Sequence, residues 1–407
     1  MTRIKGRFDM SRMKEISFSK GEQEELLQKI TQKLSGENVD NILVFGSRNI
    51  TYLSCGLVFP YLDQRVIHPV AYFYSLETGK RVLFCTYELA DIPKQLDWDG
   101  EVVTYSLNEK TPELSLAKAA ASYLQGEIAI DEKYTTKKQL SALTSATKNT
   151  NFIGIDKTLE ELKIIKTEAE VRLLEIAGRM GDRGFISALN HTEGAALDAL
   201  SYPLWEYAER FRVHAGEFGG SGVGNISVLK GTAARELFGP CPPRAVFDDG
   251  EFVRLEYSMY NHGYWITGSR TVYVGTPDEE AMKAYQENQK LKNAALEAIE
   301  IGKTASDIYD AVVNKSKSLD IPFWQDIEMG HGIGTSEREG PFFAPYDKTI
   351  LEEGMVFCLG VYTYGPSHEL ICDRDVYHLT KNGPELLTWY KTYDQLYAMF
   401  GTSARHG

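Results

Sequence analysis

His331 is the residue whose type and surroundings best suit acid–base chemistry in this sequence. It lies between two glycines in GHGIGTSEREG, residues 330–340, and acidic and basic residues follow it. An imidazole titrates near neutral pH and is also a common metal ligand. The segment therefore allows three roles for His331: catalytic base, metal ligand, or a structural histidine that caps the glycine turn.

The composition limits the possible partners. The chain has 407 residues, of which 43% are hydrophobic and 25% charged, and its formal net charge is −13. This length predicts two domains. No clustered basic run is present for phosphate binding, so we expect no nucleic-acid partner. No apolar run is long enough for a membrane helix, and the N-terminus lacks the apolar core of a secretory signal, which predicts a cytoplasmic protein.

The segments that must position His331 fall into two groups. Residues 1–160 alternate helical and strand-like patterns, for example GEQEELLQKITQKL followed by NILVFGS, and predict a small doubly wound α/β domain. Residues 161–407 begin with a long amphipathic helix and continue with paired strands and helices around His331, which predicts an α+β domain. The five cysteines are scattered without a CxxC spacing, so we expect buried thiols.

Several motifs in the second half, taken in order, carry a family resemblance. The motifs are LKIIKTEAEVRLLEIAG, DDGEFVRLEYSMYNHGYWITGSRTVYVG, GHGIGTSEREG, LEEGMVFCLGVY and DVYHLTKNGPELLT. With these motifs the chain resembles the creatinase/aminopeptidase superfamily, which has the pita-bread fold of prolidases, methionine aminopeptidases and creatinase. The resemblance implies a pita-bread C-terminal domain behind a creatinase- or prolidase-like N-terminal domain.

The metal ligands of the family are mostly missing from these motifs. Metallopeptidases of this superfamily bind two divalent ions with two aspartates, one histidine and two glutamates. The corresponding residues here are Glu256, Thr267, His331, Gly360 and Arg374. Only the histidine matches fully, and an arginine would put a permanent cation among the ligands. We therefore expect no metal or other cofactor, with a shifted site at Asp373 or Asp375 as the alternative.

The resemblance to creatinase, which works without metal, suggests a reaction type. We interpret the chain as a metal-independent, creatinase-like hydrolase of a C–N bond in a small polar metabolite that carries a carboxylate. His331 would be the acid/base, Glu256 its orienting partner and Arg374 the charge stabiliser. The alternative for Arg374 is a salt bridge to Glu256. Creatinase activity itself is not expected, because Ser269 replaces a glutamate of its motif and its catalytic histidine has no counterpart.

Five further residues are candidates for substrate binding. Tyr264 lies on the strand turn of the family cavity, Arg338 takes the place of a prolidase histidine, and Glu369 lies in SHEL, near the family's substrate loops. In the creatinase branch the N-terminal domain of one subunit reaches into its partner's site, which makes Arg65 and His68 the candidates here and implies a homodimer. A solvated loop is the alternative for Glu369.

Other functions stay open at this point. The loss of ligands also fits a non-catalytic module that binds a ligand or a protein, and a base beside a fixed cation also suits a lyase or isomerase. Cys241 and Cys358 lie near site motifs and are possible nucleophiles, but a reactive thiolate needs an adjacent base or cation, and no such contact follows from the sequence.

Overall fold

The structure is a computed structural model that describes residues 17–58, 68–195, 203–215, 222–235, 244–388 and 396–400. The chain divides into two compact units, of which the first ends at Lys163 and the second begins at Ile164. The first is an α/β unit and the second an α+β unit with several sheets, as the predicted fold class requires.

The first unit alternates helices and strands along the chain. Its helix α1 begins where Ser19 and Glu22 form a capping box, which satisfies two free backbone N–H groups. The elements are α1 Lys20–Leu34, β1 Asn41–Val44, α2 Ser47–Leu53, β2 Ala71–Ser75, β3 Arg81–Cys85, α3 Ile92–Gln95, β4 Glu101–Thr104, α4 Pro112–Ala120, β5 Gly126–Ile130, α5 Lys137–Ala146, β6 Thr150–Gly154 and α6 Asp156–Ile164.

The strands of this unit form one six-stranded sheet in the order β4-β3-β2-β1-β5-β6. Strand β1 pairs in parallel with β5, and β3 pairs in parallel with β4, whereas β2 is antiparallel to both of its neighbours. The sheet is therefore mixed, because the Gly-containing turn between β2 and β3 is a hairpin and adds an antiparallel strand to the predicted doubly wound layer.

The second unit begins with a helix of 28 residues. Its elements are α7 Glu168–Ala195, α8 Leu204–Ala215, β7 Gly222–Lys230, β8 Phe252–Asn261, β9 Tyr264–Val274, α9 Glu279–Ala298, α10 Ala305–Leu319, β10 Gly330–Gly332, β11 Glu339–Phe342, β12 Val356–Leu359, β13 Thr363–Tyr364, β14 Leu370–Ile371, β15 Asp375–Thr380, β16 Gly383–Leu386 and β17 Tyr397–Met399.

Two sheets carry the residues that the sequence singled out. One has four strands in the order β17-β9-β8-β7, and the other has five in the order β11-β10-β12-β15-β16. An isolated bridge between Ser269 and Arg374 joins the middle of β9 to the residue before β15. The candidate residues on β8, β10 and β15 are therefore held by rigid, hydrogen-bonded strands.

The five-stranded sheet rests on a hydrophobic core. Leu291 of α9 and Val312 of α10 are fully buried and cluster with Phe357 of β12 and Leu379 of β15. Burial of this size fixes the sheet firmly, since each such side chain contributes roughly 1.5–3 kcal/mol. None of the helices in the described part of the chain is long and apolar enough to cross a bilayer.

Candidate functional site

His331 lies in the middle of the short strand β10, and both of its glycine neighbours are needed there. A β-carbon at Gly330 would lie 2.1 Å from the carbonyl oxygen of Cys358, and one at Gly332 would lie 2.0 Å from that of Gly340. Only glycine allows such close packing between strands. His331 Nδ1 lies 3.0 Å from the carbonyl oxygen of Gly332. Because a carbonyl only accepts, Nδ1 carries the proton and Nε2 is left as the second functional nitrogen.

Cys358 faces that second nitrogen. His331 and Cys358 are direct partners in the antiparallel pairing of β10 with β12, and such partners project from the same face of a sheet. The Cys358 Sγ lies 3.4 Å from His331 Nε2. Cys358 is fully buried and His331 is 9% exposed. The adjacent base that the sequence did not show for this thiol is therefore present.

The two groups shift each other's pKa. Burial acts to raise the pKa of the Cys358 thiol, but the imidazole beside it and the Arg374 guanidinium outweigh burial and lower the pKa below its ordinary value. Burial acts to lower the pKa of His331, but the neighbouring thiol outweighs it and raises the pKa. Both directions favour a proton on the imidazole and a charge on the sulfur.

Glu256 on β8 has partners other than His331. Its Oε1 accepts a hydrogen bond from the Tyr362 hydroxyl at 2.9 Å and lies 3.0 Å from Nε of Arg254, whose side chain is fully buried. Ser269 Oγ is 3.4 Å from the same oxygen. The predicted orienting contact from Glu256 to His331 does not form, since the carbonyl of Gly332 takes that role.

Arg374 lies on the other side of Tyr362. Its Nη2 donates to the Tyr362 hydroxyl at 2.5 Å, and its guanidinium carbon is 5.4 Å from the centre of the tyrosine ring. The predicted alternative of a salt bridge to Glu256 is therefore replaced by a link through Tyr362. Among the residues that the structure describes, nothing accepts a hydrogen bond from the buried Nε of Arg374. Buried N–H groups are seldom left without a hydrogen-bond acceptor.

The two aspartates considered as a shifted metal site are fully engaged elsewhere. Asp373 accepts from the Thr271 backbone N–H at 2.9 Å and from the Tyr285 hydroxyl at 2.7 Å. Asp375 forms ion pairs with Arg270 and with Lys292, each at 2.5 Å. These contacts make a neutralised, buried charge network. Arg270 is therefore held in a structural ion pair.

The predicted substrate-binding residues of the second unit are spread out. Tyr264 is fully buried, and its hydroxyl donates to Glu170 at 3.2 Å. The Arg338 side chain is 54% exposed, and its Nε donates to Glu328 at 2.6 Å. Glu369 is 8% exposed rather than solvated, and its Oε2 has no hydrogen-bond partner in the described chain. None of the three hydrogen-bonds to His331.

The predicted residues of the first unit are only partly described. Arg65 and Cys241 both lie outside the described residues, Arg65 in 59–67 and Cys241 in 236–243. His68 is half-buried, and the part of the chain that the structure describes offers its Nδ1 no hydrogen-bond partner. The expectation that Arg65 and His68 reach into a partner subunit stays a prediction.

Comparison with protein families identifies the family to which the second unit belongs. The model described as metallopeptidase family M24 matches residues 172–381, more than half of the chain. The chain belongs to metallopeptidase family M24. The model of the creatinase/prolidase N-terminal domain matches residues 27–165. Both units therefore have the architecture that the sequence motifs predicted.

Individual relatives of this M24 protein are peptidases. An uncharacterized peptidase of Staphylococcus saprophyticus is 25% identical over 374 residues, covering 90% of this chain and 99% of the relative. An Xaa-Pro dipeptidase of Lactobacillus delbrueckii is 25% identical over 85% of this chain and 94% of its own length. The X-Pro aminopeptidase structure from Thermotoga maritima has a TM-score of 0.76 at 20% identity, covering 91% of this chain and 99% of that chain, and shows the shared fold.

Family membership corrects one sequence-based interpretation. We interpreted the chain as a metal-independent, creatinase-like hydrolase of a carboxylate metabolite, with a binding module or a lyase as alternatives. That interpretation is wrong, because the chain belongs to a family of metallopeptidases and its relatives are peptidases. The comparison supports a hydrolase, and the broader prediction of a pita-bread superfamily member is confirmed.

The M24 ligand positions of this chain do not fit the family's pair of metal ions. Within the described ranges, no three His, Cys, Asp or Glu side chains come together as a metal site requires. Glu256 is already bound to Arg254 and Tyr362, and the Arg374 cation faces the same place. Divalent ions need several free oxygen or nitrogen ligands, and a fixed cation repels them. The family assignment and the ligand set of this chain therefore disagree.

Proposed function

We propose that this chain hydrolyses short peptides that carry a free carboxylate, with dipeptides of the Xaa-Pro type as the first candidates. Two considerations support the proposal: the chain belongs to a peptidase family, and one of its relatives is an Xaa-Pro dipeptidase. A dipeptide also carries a carboxylate, a group to which an arginine guanidinium can donate two parallel hydrogen bonds.

One observation carries this proposal. His331 has one nitrogen fixed by the Gly332 carbonyl and its second nitrogen 3.4 Å from Cys358 Sγ, and the charge of Arg374 acts on both groups. The Nε of Arg374 is a donor without an acceptor among the described residues. A base of fixed orientation beside an unused cationic donor is suited to acyl transfer, in which a proton moves and negative charge develops on an oxygen.

The experiment that tests the proposal is a hydrolysis assay with matched substrates. The purified protein is incubated with Ala-Pro, Ala-Ala and Ala-Pro amide, and freed amino acids are measured by mass spectrometry. We expect Ala-Pro to be cleaved faster than its amide, and the variant His331→Ala to lose at least about 100-fold in kcat/KM. His378→Ala, a partly buried histidine on β15, is the matched control. Full activity of His331→Ala, or no cleavage of any peptide, would contradict the proposal.

The homodimer implied by the superfamily resemblance belongs to the same proposal. Light scattering of the purified protein during gel filtration measures its mass directly. We expect twice the chain mass of 45.8 kDa. A monomer that still cleaves Ala-Pro would remove Arg65 and His68 as residues that serve a partner's site.

A further inference from the structure

We propose that Cys358 is the nucleophile of this site and that His331 is its base. The inference rests on the proposed function, since it names the reacting group for peptide hydrolysis. It also accounts for the disagreement between family and ligand set, because the second ring nitrogen of His331 faces a thiol.

The geometry of Cys358 and His331 is that of a nucleophile and its base. A nucleophile and its base must lie within hydrogen-bond reach, and the base must in turn be held by a third group. Cys358 Sγ is 3.4 Å from Nε2 of His331, and Nδ1 of the same ring is 3.0 Å from the Gly332 carbonyl oxygen. The carbonyl keeps the proton of the neutral imidazole on Nδ1. Nε2 is therefore the nitrogen that is free to take the thiol proton.

Arg374 is placed to meet the negative charge that develops on the substrate. Attack by a thiolate turns the substrate carbonyl into an oxyanion, which needs donors that are already in place. Arg374 is held through Nη2 by the Tyr362 hydroxyl, and its Nε is a buried donor without an acceptor among the described residues. Glu256 does not neutralise this cation directly, since its Oε1 binds Arg254 and Tyr362. We assign to Arg374 the role of oxyanion donor.

Water is the only reactant that this reaction needs besides the peptide. Cys358 gives its proton to His331 Nε2, and the sulfur forms a bond to the carbonyl carbon of the scissile amide. The C–N bond then breaks, the Nε2 proton passes to the leaving nitrogen, and a thioester remains on Cys358. Water attacks the thioester, gives one proton to Nε2, and the S–C bond breaks as that proton returns to sulfur. The net change is the addition of water across the C–N bond.

A labelling experiment tests the thiol independently of peptide hydrolysis. Cys85 and Cys372 are as fully buried as Cys358, so exposure does not separate the three thiols. Burial raises the pKa of each of these two controls to about 12. The native protein is treated briefly with iodoacetamide, and each cysteine is quantified by peptide mass spectrometry. We expect Cys358 to be alkylated at least about 10-fold faster than either control.

The same experiment includes a variant of the base. His331→Gln keeps a side chain of similar length while removing the titrating nitrogen, and thermal unfolding checks that the variant is folded. We expect alkylation of Cys358 in His331→Gln to fall to the rate of Cys372. Equal rates for all three cysteines in the native wild-type protein, or an unchanged rate in His331→Gln, would overturn the inference.

Kinetics of a cysteine variant separate this inference from the proposed function. Cys358→Ser is expected to lose at least about 100-fold in kcat on Ala-Pro with little change in KM, whereas Cys85→Ser keeps wild-type rates. If the wild type cleaves peptides and Cys358→Ser cleaves them equally well, the proposed peptide hydrolysis is supported and the assignment of Cys358 as the nucleophile is wrong. If no peptide is cleaved but Cys358 is selectively alkylated, the proposed substrate class is wrong, whereas the reactive pair of Cys358 and His331 is supported.

Discussion

Gly360 and Arg374 are sterically linked: a β-carbon at Gly360 would lie 2.9 Å from Cβ of Arg374 and 2.8 Å from Sγ of Cys372. Both positions hold metal-binding glutamates in the metallopeptidases that this chain resembles. The absence of a β-carbon at residue 360 leaves room here for the side chains of Cys372 and Arg374.

This link predicts the effect of enlarging residue 360. Gly360→Ala should destabilise the protein by about 1–3 kcal/mol, because the backbone of Arg374 is also only 3.1 Å from the new carbon and cannot move freely. Urea unfolding measures the loss. Gly21→Ala is the control, since nothing lies within 4 Å of its β-carbon and alanine favours its helix. Equal stability of the two variants would show that strand β15 adjusts easily.

The buried ion pair between Lys166 and Glu339 predicts a large mutational effect. Nζ of Lys166 lies 2.8 Å from Oε1 of Glu339, and the two side chains are 1% and 7% exposed. Lys166→Met leaves a buried carboxylate without its partner, so we expect a loss of about 3–5 kcal/mol in unfolding free energy. The exposed pair of Lys33 and Glu161 is the control, and Lys33→Met should cost no more than about 1 kcal/mol.

A double variant tests the same ion pair further. Lys166→Met combined with Glu339→Leu removes both charges, and we expect it to be more stable than Lys166→Met alone, because no buried charge is left unpaired. A double variant as unstable as the sum of the two single variants would show that the two side chains act independently.

The Tyr362 hydroxyl joins two charged groups of the site. It donates to Glu256 and accepts from Arg374. Tyr362→Phe removes both hydrogen bonds without changing the ring, so we expect a loss of about 1–3 kcal/mol in stability. Peptide cleavage should also slow, since Arg374 loses the contact that holds it. Tyr346→Phe, at a tyrosine that is 67% exposed, should change neither quantity. Unfolding and Ala-Pro cleavage measure the two effects.

The Asp375 network predicts a pH dependence of stability. Burial acts to raise the pKa of Asp375, but Arg270 and then Lys292 outweigh burial and hold the pKa at about 2. An unfolded aspartate has a pKa of about 3.9, so the folded state binds this proton less readily than the unfolded state. The network therefore contributes about 2–3 kcal/mol to the free energy of unfolding above pH 4, and this contribution is lost as the pH falls from 4 toward 2.

The measurement compares the wild type with Asp375→Asn at pH 7 and at pH 3. We expect the difference in unfolding free energy between the two proteins to shrink at pH 3. Asp91→Asn, at an exposed ion pair with Lys94, serves as the control and should show a small difference at both pH values. A difference in unfolding free energy between the wild type and Asp375→Asn that stays constant with pH would contradict the assigned charge network.

The ligand positions also predict how the protein responds to divalent ions. A ligand that binds only the folded state raises the melting temperature, so thermal unfolding is measured with and without manganese or cobalt at about 1 mM. With Glu256 bound to Arg254 and Tyr362, we expect little change in the melting temperature. A clear rise would show that the side chains rearrange to bind an ion, and it would be checked by elemental analysis of the dialysed protein.

Much of the fold was predictable from the sequence. The helical spacing of α1, the buried run of β1 and the paired strands β8 and β9 follow from local patterns, and each agrees with the structure. The loss of family ligands at Thr267, Gly360 and Arg374 was also predictable, since residue types at motif positions are visible without coordinates. The metal-independent, creatinase-like interpretation went further than these losses allowed, and the family comparison corrected it.

The ion pair between Arg254 and Glu256 could have been predicted from the sequence. Arg254 precedes Glu256 by two residues on strand β8, and residues two apart on a strand project from the same face. The pattern RLE therefore contained the ion pair that occupies Glu256. Tyr362 had no comparable signal, because its link from Glu256 to Arg374 joins segments that are distant in sequence.

The sequence by itself determined the order of elements, the two-unit architecture and the family, because all three depend on local periodicity and on residue types at motif positions. Only the tertiary structure decided which side chains meet. The pair of His331 and Cys358 depends on the register between β10 and β12, and a slip of one residue would turn the thiol to the opposite face. Register is set by packing across the whole sheet, so the chemistry of this site became visible only in the folded chain.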